Sequence, residues 1–385
     1  MDCSYHAAGL CRSCTQLNLP YGQQLAKKDQ HARSLLAAYP DLLWLEPLAS
    51  APSGFRNKAK LVVSGTVDQP RLGIAGKSGQ GVDLSDCPLY LPALQAMLPT
   101  FKTLIRRAHL TPYGIKTGKG ELKNIIVTVA DDGAAMVRFV LRSKKLVVAI
   151  RQQLAWLQSE ITGLKVVSIN ILREHVALLE GSEEFVLTDT SALPMPLGDL
   201  NLYLQPQSFF QTNTALAQAL YRQAQTWFLE LEPRRVWDLY CGVGGFAIFA
   251  ARALGQQAEV TGVELSEQAI ASARRTAAEL ELSNITFKQG DATDFVLDAA
   301  GAGLKPAQML VLNPPRRGVS AQLTCWLEQS GVEAVIYSSC NALTLQRDLQ
   351  LLPSYRPVQA RVLDMFAQSH HYEVITLLRR RSCLK

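Results

Sequence analysis

The chain has 385 residues, of which 48% are hydrophobic and 19% charged, a composition typical of a globular protein with room for two domains. No apolar run approaches the ~18 residues needed to span a bilayer, and the first residues lack the basic and apolar pattern of a secretion signal. The sequence therefore argues against a membrane protein and predicts a cytoplasmic one.

The net charge of +6 is mild, but the basic residues are concentrated in one part of the chain. Residues 54–151 contain 16 Lys and Arg against 6 Asp and Glu, whereas residues 205–385 contain 17 against 16. Such a local excess is typical of a surface that binds nucleic-acid phosphates, and a solvated lysine-rich face is the alternative.

Four of the eight cysteines, Cys3, Cys11, Cys14 and Cys87, lie in the N-terminal part of the chain. In a cytosolic protein, a Cys-x-x-Cys pair with further cysteines favours metal or cluster ligation over disulfides. Tetrahedral zinc and a 4Fe-4S cluster both accept four thiolates. The single Cys-x-x-Cys pair and the proline after Cys87 favour the cluster, while zinc stays open.

The first 200 residues predict a mixed α+β domain built on an antiparallel sheet. Strand-like runs occupy 61–64, 125–129, 136–141 and 166–171, and helical spacing occurs near 22–38, 90–108 and 145–160. Arg56, Lys58 and Lys60 alternate with other residues, so one face of a strand would present all three to an RNA backbone. We therefore predict an RNA-binding domain over residues 1–200.

A turn-rich stretch from Ser191 to Asp199 predicts a domain boundary, with a second domain over residues 205–385. Asn213 is predicted to cap a helix that ends near Leu231. Strand-like runs then follow at 260–264, 285–287, 309–312, 334–337 and 373–378, with helical segments between most of them. This alternation predicts a doubly wound, mainly parallel α/β sheet of the Rossmann-like kind.

Polar and reactive residues follow several of these strands, at the edge where such sheets bind ligands. They are the glycine-rich turn from Asp238 to Gly245, the run Asn313-Pro314-Pro315-Arg316, and Ser339-Cys340-Asn341. The turn alone also fits a dinucleotide fingerprint. Glu264, placed for ribose hydroxyls, and the later Pro-Pro strand end favour a nucleoside donor such as S-adenosylmethionine.

These motifs together resemble the RNA 5-methyluridine methyltransferase family. The resemblance covers nearly the whole chain and also includes Gln211 in the run Ser208 to Asn213, and His371-Tyr372-Glu373. The four cysteines, without a preceding barrel domain, resemble the branch that methylates a uridine in a domain II loop of 23S rRNA. The expected fold is therefore a C-terminal Rossmann-like methyltransferase domain, preceded by an α+β iron-sulfur domain.

The resemblance also implies a role for individual residues. The methyl donor S-adenosylmethionine would contact Gln211, Tyr240, Glu264 and Asn313. Cys340 would be the nucleophile and Glu373 the general base. A 4Fe-4S cluster would be held by Cys3, Cys11, Cys14 and Cys87. Two positions depart from the family pattern, because many members have Asp at the place of Asn313 and Pro at that of Ala342.

The predicted chemistry requires a thiol of this kind. Carbon 5 of uracil is a weak nucleophile, so a thiolate must first add to carbon 6 and produce an enolate. A base must later remove the proton from carbon 5, a task that suits Glu373.

Other functions stay open on the sequence. A tRNA 5-methyluridine methyltransferase would use the same residues, whereas an amine-directed RNA methyltransferase would share the Asn-Pro-Pro run and need no thiol. A non-catalytic RNA-binding protein with a zinc site would bind no methyl donor. We expect 23S rRNA as the partner of a monomer that needs no obligate protein partner.

Overall fold

The computed structural model describes residues 1–76, 81–175 and 180–381. The strands, numbered in chain order, are β1 (Leu43–Trp44), β2 (Lys58–Gly65), β3 (Pro70–Ala75), β4 (Gly81–Asp83), β5 (Leu122–Val129), β6 (Ala135–Leu141), β7 (Leu164–Ile171), β8 (Glu183–Val186), β9 (Leu193–Leu197), β10 (Leu200–Leu204), β11 (Arg235–Leu239), β12 (Glu259–Glu264), β13 (Ile285–Gln289), β14 (Met309–Leu312), β15 (Ala334–Ser339), β16 (Tyr355–Leu363) and β17 (Glu373–Arg380). The α-helices are α1 (Ser4–Ala7), α2 (Tyr21–Leu35), α3 (Pro92–Arg107), α4 (Val147–Gln152), α5 (Leu154–Glu160), α6 (Thr214–Leu231), α7 (Gly245–Leu254), α8 (Glu267–Glu279), α9 (Ala292–Gly301), α10 (Ala321–Ser330) and α11 (Ala342–Gln350).

The chain divides into two compact units, and the division differs from the one that the sequence predicts. Unit 1 contains residues 1–14 and 52–196, and unit 2 contains residues 15–51 and 197–385. Residues 15–51 were expected in the first domain. They belong to unit 2 because β1 pairs with β16 and because the buried Lys28 Nζ lies 2.5 Å from Oδ1 of the buried Asp364.

Unit 2 is built on an eight-stranded sheet in the order β1-β16-β17-β15-β14-β11-β12-β13. The strands from β15 to β13 run parallel, and β17 is antiparallel to both β15 and β16. This confirms the predicted mainly parallel Rossmann-like sheet. The sequence analysis missed β16, in which the register shifts between Pro357 and Gln359. Proline cannot donate a ladder hydrogen bond and is a poor strand signal.

The helix α6 shows how the sequence builds the layers of unit 2. Its first turn is capped by the Asn213 side chain, whose Oδ1 accepts a hydrogen bond from the Leu216 amide at 3.3 Å. Leu220, Ala224 and Phe228 recur at helical spacing, and all three are buried. The predicted cap and helix over this segment are therefore confirmed.

Unit 1 is built on a seven-stranded sheet in the order β4-β3-β2-β5-β6-β7-β8. Most neighbours are antiparallel as predicted, but β6 and β7 are parallel because the α4–α5 segment makes a crossover between them. That segment was expected as a single helix, and it breaks at Gln153. One face of the sheet packs on α3, which buries Leu94, Leu98 and Phe101.

No helix in the described part of the chain has both the length and the apolar character that a membrane crossing requires.

Candidate active site

Strand register brings the predicted pocket residues of unit 2 to one edge of the sheet. Leu239 of β11 pairs with Val263 of β12 and with Leu312 of β14. Tyr240, Glu264 and Asn313 stand at or directly beyond these paired positions, so they lie side by side. The edge is a topological switch point, because β11 is flanked by β12 on one side and by β14 on the other, and ligands bind at such points.

Strand register also brings the predicted nucleophile beside the predicted base. Ser339, the last residue of β15, pairs with Val374 of the antiparallel β17. One step further along this register, Cys340 stands opposite Glu373. The two groups influence each other electrostatically, since Glu373 contributes to raising the pKa of the Cys340 thiol.

The glycine-rich turn connects β11 to the N-terminus of α7. Tyr240 has a φ of 68°, a left-handed conformation that is rare for a bulky residue and is often found at functional sites. At Gly244, with a φ of 85°, a Cβ atom would lie 2.8 Å from the Phe287 ring, so only glycine fits. The buried Asp238 fixes the turn, because its Oδ2 accepts a hydrogen bond from the Ala247 amide at 2.9 Å. Burial raises the pKa of Asp238 to about 8.

The Glu264 carboxylate is oriented by backbone amides. Its Oε2 accepts a hydrogen bond from the Gly242 amide at 3.1 Å, and its Oε1 accepts one from the Ser266 amide at 2.9 Å. Asp291, which also lines this edge, caps α9, because its Oδ1 accepts a hydrogen bond from the Thr293 amide at 2.7 Å. Both carboxylates thus have a fixed geometry at the edge of the cavity.

A cavity of about 520 Å³ opens at this edge. Its lining includes all six residues that the sequence predicted for unit 2, namely Gln211, Tyr240, Glu264, Asn313, Cys340 and Glu373. The volume is in the range of small-molecule and cofactor sites. Sequence reasoning missed Tyr221 and Phe366, which also line the cavity. Tyr221 lies among the apolar residues of α6 and gives no separate sequence signal.

The electrostatic surroundings of Cys340 and Glu373 are distinctive. Burial raises the pKa of the Cys340 thiol, and the nearby Glu373 raises it further, while Arg316 lowers it through a hydrogen bond and its charge. Glu373 is 1% exposed, and burial raises the pKa of its carboxyl group to about 7. Its Oε1 accepts a hydrogen bond from Ser338 Oγ at 2.5 Å, which lowers the pKa. A carboxyl group that titrates near neutral pH suits a general base.

A buried carboxylate on α11 holds the loop that begins at Asn313, and the sequence analysis missed it. Asp348 Oδ2 accepts hydrogen bonds from the Tyr337 hydroxyl at 2.6 Å and from the Val319 amide at 3.1 Å. Asn341 Nδ2 also donates to the Arg316 carbonyl at 3.2 Å. The Asn313 loop is therefore tied to the strand and the helix on either side of Cys340.

The four N-terminal cysteines lie in unit 1, and all four are half-buried. Burial and, after it, the thiols of Cys87, Cys11 and Cys3 raise the pKa of Cys14 to about 11. The four thiols are thus close enough to interact electrostatically. Across the described residues, however, no group of three or more His, Cys, Asp and Glu side chains is arranged to hold a metal ion. Thiols can influence one another's pKa over longer distances than a coordination bond to a metal, which is ~2.3 Å for zinc and thiolate. The electrostatic interaction of the four thiols is therefore compatible with side chains that are not arranged around a metal ion.

Arg56 is near these thiols, and it stands just before the strand that carries the other two members of the predicted basic row, with which it shares the same alternation of burial. The strand β2 begins at Lys58, and Arg56 forms an isolated bridge with Tyr90 before that strand. Its Nε donates to the Lys58 carbonyl at 3.2 Å, and its charge lowers the pKa of Cys14 and of Cys87. Lys58 and Lys60 do alternate along β2 as predicted.

The fold and the pocket define an S-adenosylmethionine-dependent methyltransferase. Residues 232–301 match a family model described as a methyltransferase domain. The fold is similar to that of the Pyrococcus abyssi tRNA (uracil-54, C5)-methyltransferase in complex with S-adenosyl-L-homocysteine, with a TM-score of 0.78 and 24% identity. That similarity covers 96% of this chain and 86% of the archaeal chain.

Two curated relatives identify the family more closely. The 23S rRNA (uracil(747)-C(5))-methyltransferase RlmC of Yersinia pseudotuberculosis serotype I (strain IP32953) is 44% identical over 382 residues, which covers 99% of this chain and 100% of the relative. The RlmC protein of Yersinia pestis (strain Pestoides F) has the same identity and coverage. The chain belongs to the RlmC family of 23S rRNA (uracil-C5)-methyltransferases.

Proposed function

We propose that this protein transfers a methyl group from S-adenosylmethionine to carbon 5 of a uridine in a domain II loop of 23S rRNA. The observation that carries the proposal is the meeting of Cys340 and Glu373 at the edge of one cavity, beside the carboxylate of Glu264. A thiol and a base of raised pKa are the two groups that methylation of an electron-poor carbon requires.

The cavity fits an adenosyl donor. The Glu264 carboxylate, held by two backbone amides, is available to accept hydrogen bonds from ribose hydroxyls. Gln211, Tyr240 and Asn313 surround the same space and would bind and orient the rest of the donor. Asn313 is uncharged, so its contribution to donor binding is through hydrogen bonding alone.

Cys340 and Glu373 act in sequence on the uracil ring. When bound, S-adenosylmethionine supplies an electrophilic methyl group. The Cys340 thiolate adds to carbon 6, and carbon 5 of the resulting enolate then takes the methyl group. Glu373 removes the proton from carbon 5, the electron pair restores the double bond between carbons 5 and 6, and the carbon–sulfur bond breaks to release the thiolate. Arg316 favours the ionised form of Cys340.

RNA contact by unit 1 is the second part of the proposal. Three adjoining hollows lie on its surface. The central hollow shares Arg71 with a neighbour on one side and Gly65 with a neighbour on the other. Arg12 lines the hollow that shares Arg71, and Lys119 and Lys145 line the hollow that shares Gly65. Cations spaced along a groove suit a phosphate backbone.

The salt dependence of RNA binding tests this groove. We expect the combined change of Arg71, Lys119 and Lys145 to alanine to reduce the slope of log affinity against log salt by about 0.7 for each RNA phosphate that is no longer neutralised. Alanine at Arg106 and Arg151, two exposed basic residues outside the three hollows, is the control. Equal slopes for the two variants would contradict RNA contact by the groove.

We also propose that Cys3, Cys11, Cys14 and Cys87 hold a 4Fe-4S cluster. The donor set fits, because four half-buried thiols interact electrostatically and the positive charge of Arg56 favours the ionised form of Cys14 and of Cys87. A cluster there would join the N-terminal segment to the chain near Cys87 and supply structural stability. Iron and sulfide in the purified protein would support the cluster, and zinc alone would contradict it.

Nucleoside analysis tests the proposed activity. Wild-type protein, incubated with radiolabelled S-adenosylmethionine and undermodified 23S rRNA, is expected to place label in 5-methyluridine at one domain II loop. Cys340→Ala should bind the donor and transfer no methyl group, whereas Cys325→Ala, at an exposed cysteine outside the cavity, should stay active. Label in a methylated amine, or activity in Cys340→Ala, would contradict the covalent mechanism and favour an amine-directed methyltransferase.

The same assay with tRNA in place of 23S rRNA tests which RNA is the substrate. Labelling of tRNA in preference to 23S rRNA would favour the alternative of a tRNA 5-methyluridine methyltransferase. A cytoplasmic location, a monomeric state and independence from a protein partner stay predictions from the sequence.

A further inference from the structure

The hydrogen bond between Ser338 and Glu373 lies at the centre of the proposed chemistry, in which only the glutamate has a role. Ser338 is 0% exposed on β15, two residues before Cys340, and its Oγ donates to Glu373 Oε1 at 2.5 Å. Within the described residues, no other hydrogen bond to this carboxyl group is found. Ser338 therefore connects the strand of the nucleophile directly to the base.

We infer that Ser338 is a positioning residue for Glu373, one that holds the carboxylate in orientation and in its ionised form for removal of the proton from carbon 5. The inference rests on the proposed function. A hydroxyl that donates to one carboxylate oxygen fixes the rotation of the group and leaves the other oxygen free for the substrate. Both residues are buried, so removal of the hydroxyl takes away a hydrogen-bond donor that the protein holds in a fixed position beside the carboxylate.

The other groups around Glu373 do not provide such a donor. Tyr221 on α6 and Cys340 after β15 both interact with Glu373 electrostatically, and a negative charge on either would disfavour the ionised carboxylate. Arg316 acts on Cys340, whose pKa it lowers. Ser338 is the group whose hydrogen bond lowers the pKa of Glu373 against the effect of burial.

The test separates formation of the covalent RNA adduct from its resolution. Ser338→Ala is expected to form the methylated adduct at close to the wild-type rate and to resolve it about tenfold more slowly, because the charged base no longer has its hydrogen-bond donor. A denaturant-resistant protein–RNA complex should therefore accumulate. The acidic limb of the pH–rate profile should move to higher pH by about one unit, since the ionised base is less favoured.

Thr376→Ala is the matched control. Thr376 lies on β17, is also 0% exposed, and its hydroxyl has no hydrogen-bond partner among the described residues. Its removal should leave both the adduct level and the pH profile unchanged. Ser338→Cys, which preserves the size of the side chain but donates weakly, should behave like Ser338→Ala even if the alanine variant folds poorly.

Two results would overturn the inference. One is wild-type resolution and an unmoved pH profile in folded Ser338→Ala or Ser338→Cys. The other is an equal change in Thr376→Ala, which would point to a packing effect. The proposed function fails separately, because in that case the wild-type protein itself would form neither an RNA adduct nor 5-methyluridine.

Discussion

The cavity of unit 2 and the four thiols of unit 1 are both gathered from distant parts of the chain, yet they are held in different ways. In the cavity, strand register and hydrogen bonds within the protein fix Glu264, the Asn313 loop and Glu373. The thiols interact electrostatically, but no described group of side chains is arranged for a metal. One site is organised by the fold, and the proposed cluster would give the other its final geometry.

The largest effect is expected from the base of the organised site. Glu373→Gln keeps the size of the side chain but cannot accept the proton, so turnover should fall by about 10²- to 10⁴-fold. The methylated adduct should accumulate in single-turnover assays with 23S rRNA. Glu333→Gln, at an exposed glutamate next to β15, is the control. Equal turnover in the two variants would exclude Glu373 as the base.

The pH dependence of wild-type protein should match this role. Burial raises the pKa of Glu373 from 4.5 to about 7, so the rate should rise with pH until the carboxyl group is ionised near pH 7. Between these two values the folded state binds the proton more tightly than the unfolded state. The contribution of Glu373 to the free energy of unfolding therefore falls as pH rises through this window. Glu373→Gln should remove that slope, which denaturant titrations across the pH range would measure.

The next largest effect concerns the segment that supports the organised site. Lys28→Met leaves the buried carboxylate of Asp364 without its partner and should lower the free energy of unfolding by roughly 3–5 kcal/mol. Urea denaturation measures this change. Arg33→Met on the same helix breaks the exposed pair with Asp29 and should cost less than about 1 kcal/mol. An equal loss of unfolding free energy in the two variants would show that the buried ion pair of Lys28 contributes no more to stability than the exposed pair of Arg33.

A smaller effect is expected at the loop that follows Asn313. Gly318 has a φ of 81°, and a Cβ atom there would lie 2.4 Å from Asp348 Oδ2. Gly318→Ala should therefore lower the free energy of unfolding by about 1–3 kcal/mol beyond the conformational cost, and should weaken donor binding measured by calorimetry. Gly331→Ala is the matched control, because Gly331 has a φ of 77° and open space around it. A similar loss of unfolding free energy in both variants would mean that the Asp348 side chain can move away at little energetic cost.

The smallest effect is expected on the affinity of the cavity for the methyl donor when one of the four N-terminal cysteines is replaced. Cys14→Ser should remove the visible absorbance of a cluster, yet donor affinity should change by less than about twofold, because every residue that lines the cavity belongs to unit 2. Cys325→Ser should keep the absorbance. A parallel loss of absorbance and donor affinity would break the distinction between the two sites.

Much of the pocket could be predicted because its residues follow strands in a regular parallel arrangement. Tyr240, Glu264 and Asn313 each stand at or just beyond the end of a strand, and the carboxyl ends of parallel strands share one edge. The helix cap at Asn213 could also be predicted, because it depends only on residues a few positions apart in the sequence.

The features that could not be predicted depend on partners far away in the sequence. Lys28 has the spacing of a solvated helical lysine, and its partner Asp364 is 336 residues further along the chain. Asp348 resembles any polar residue of an amphipathic helix until the Val319 amide is placed against it. The alternation of Arg56, Lys58 and Lys60 could be predicted, but it does not by itself show that β2 begins only at Lys58.

The discontinuous unit 2 has a consequence for synthesis on the ribosome. Once residues 1–196 have emerged, the two segments of unit 1 can assemble, whereas α2 waits for β16 and Asp364, which are translated near the end. At ~5–20 residues per second, the 336 residues between Lys28 and Asp364 take roughly 17–67 s to make. During that interval the inward side of α2 lacks its native partners on α11 and β16, so the nascent chain presents it to solvent and to chaperones.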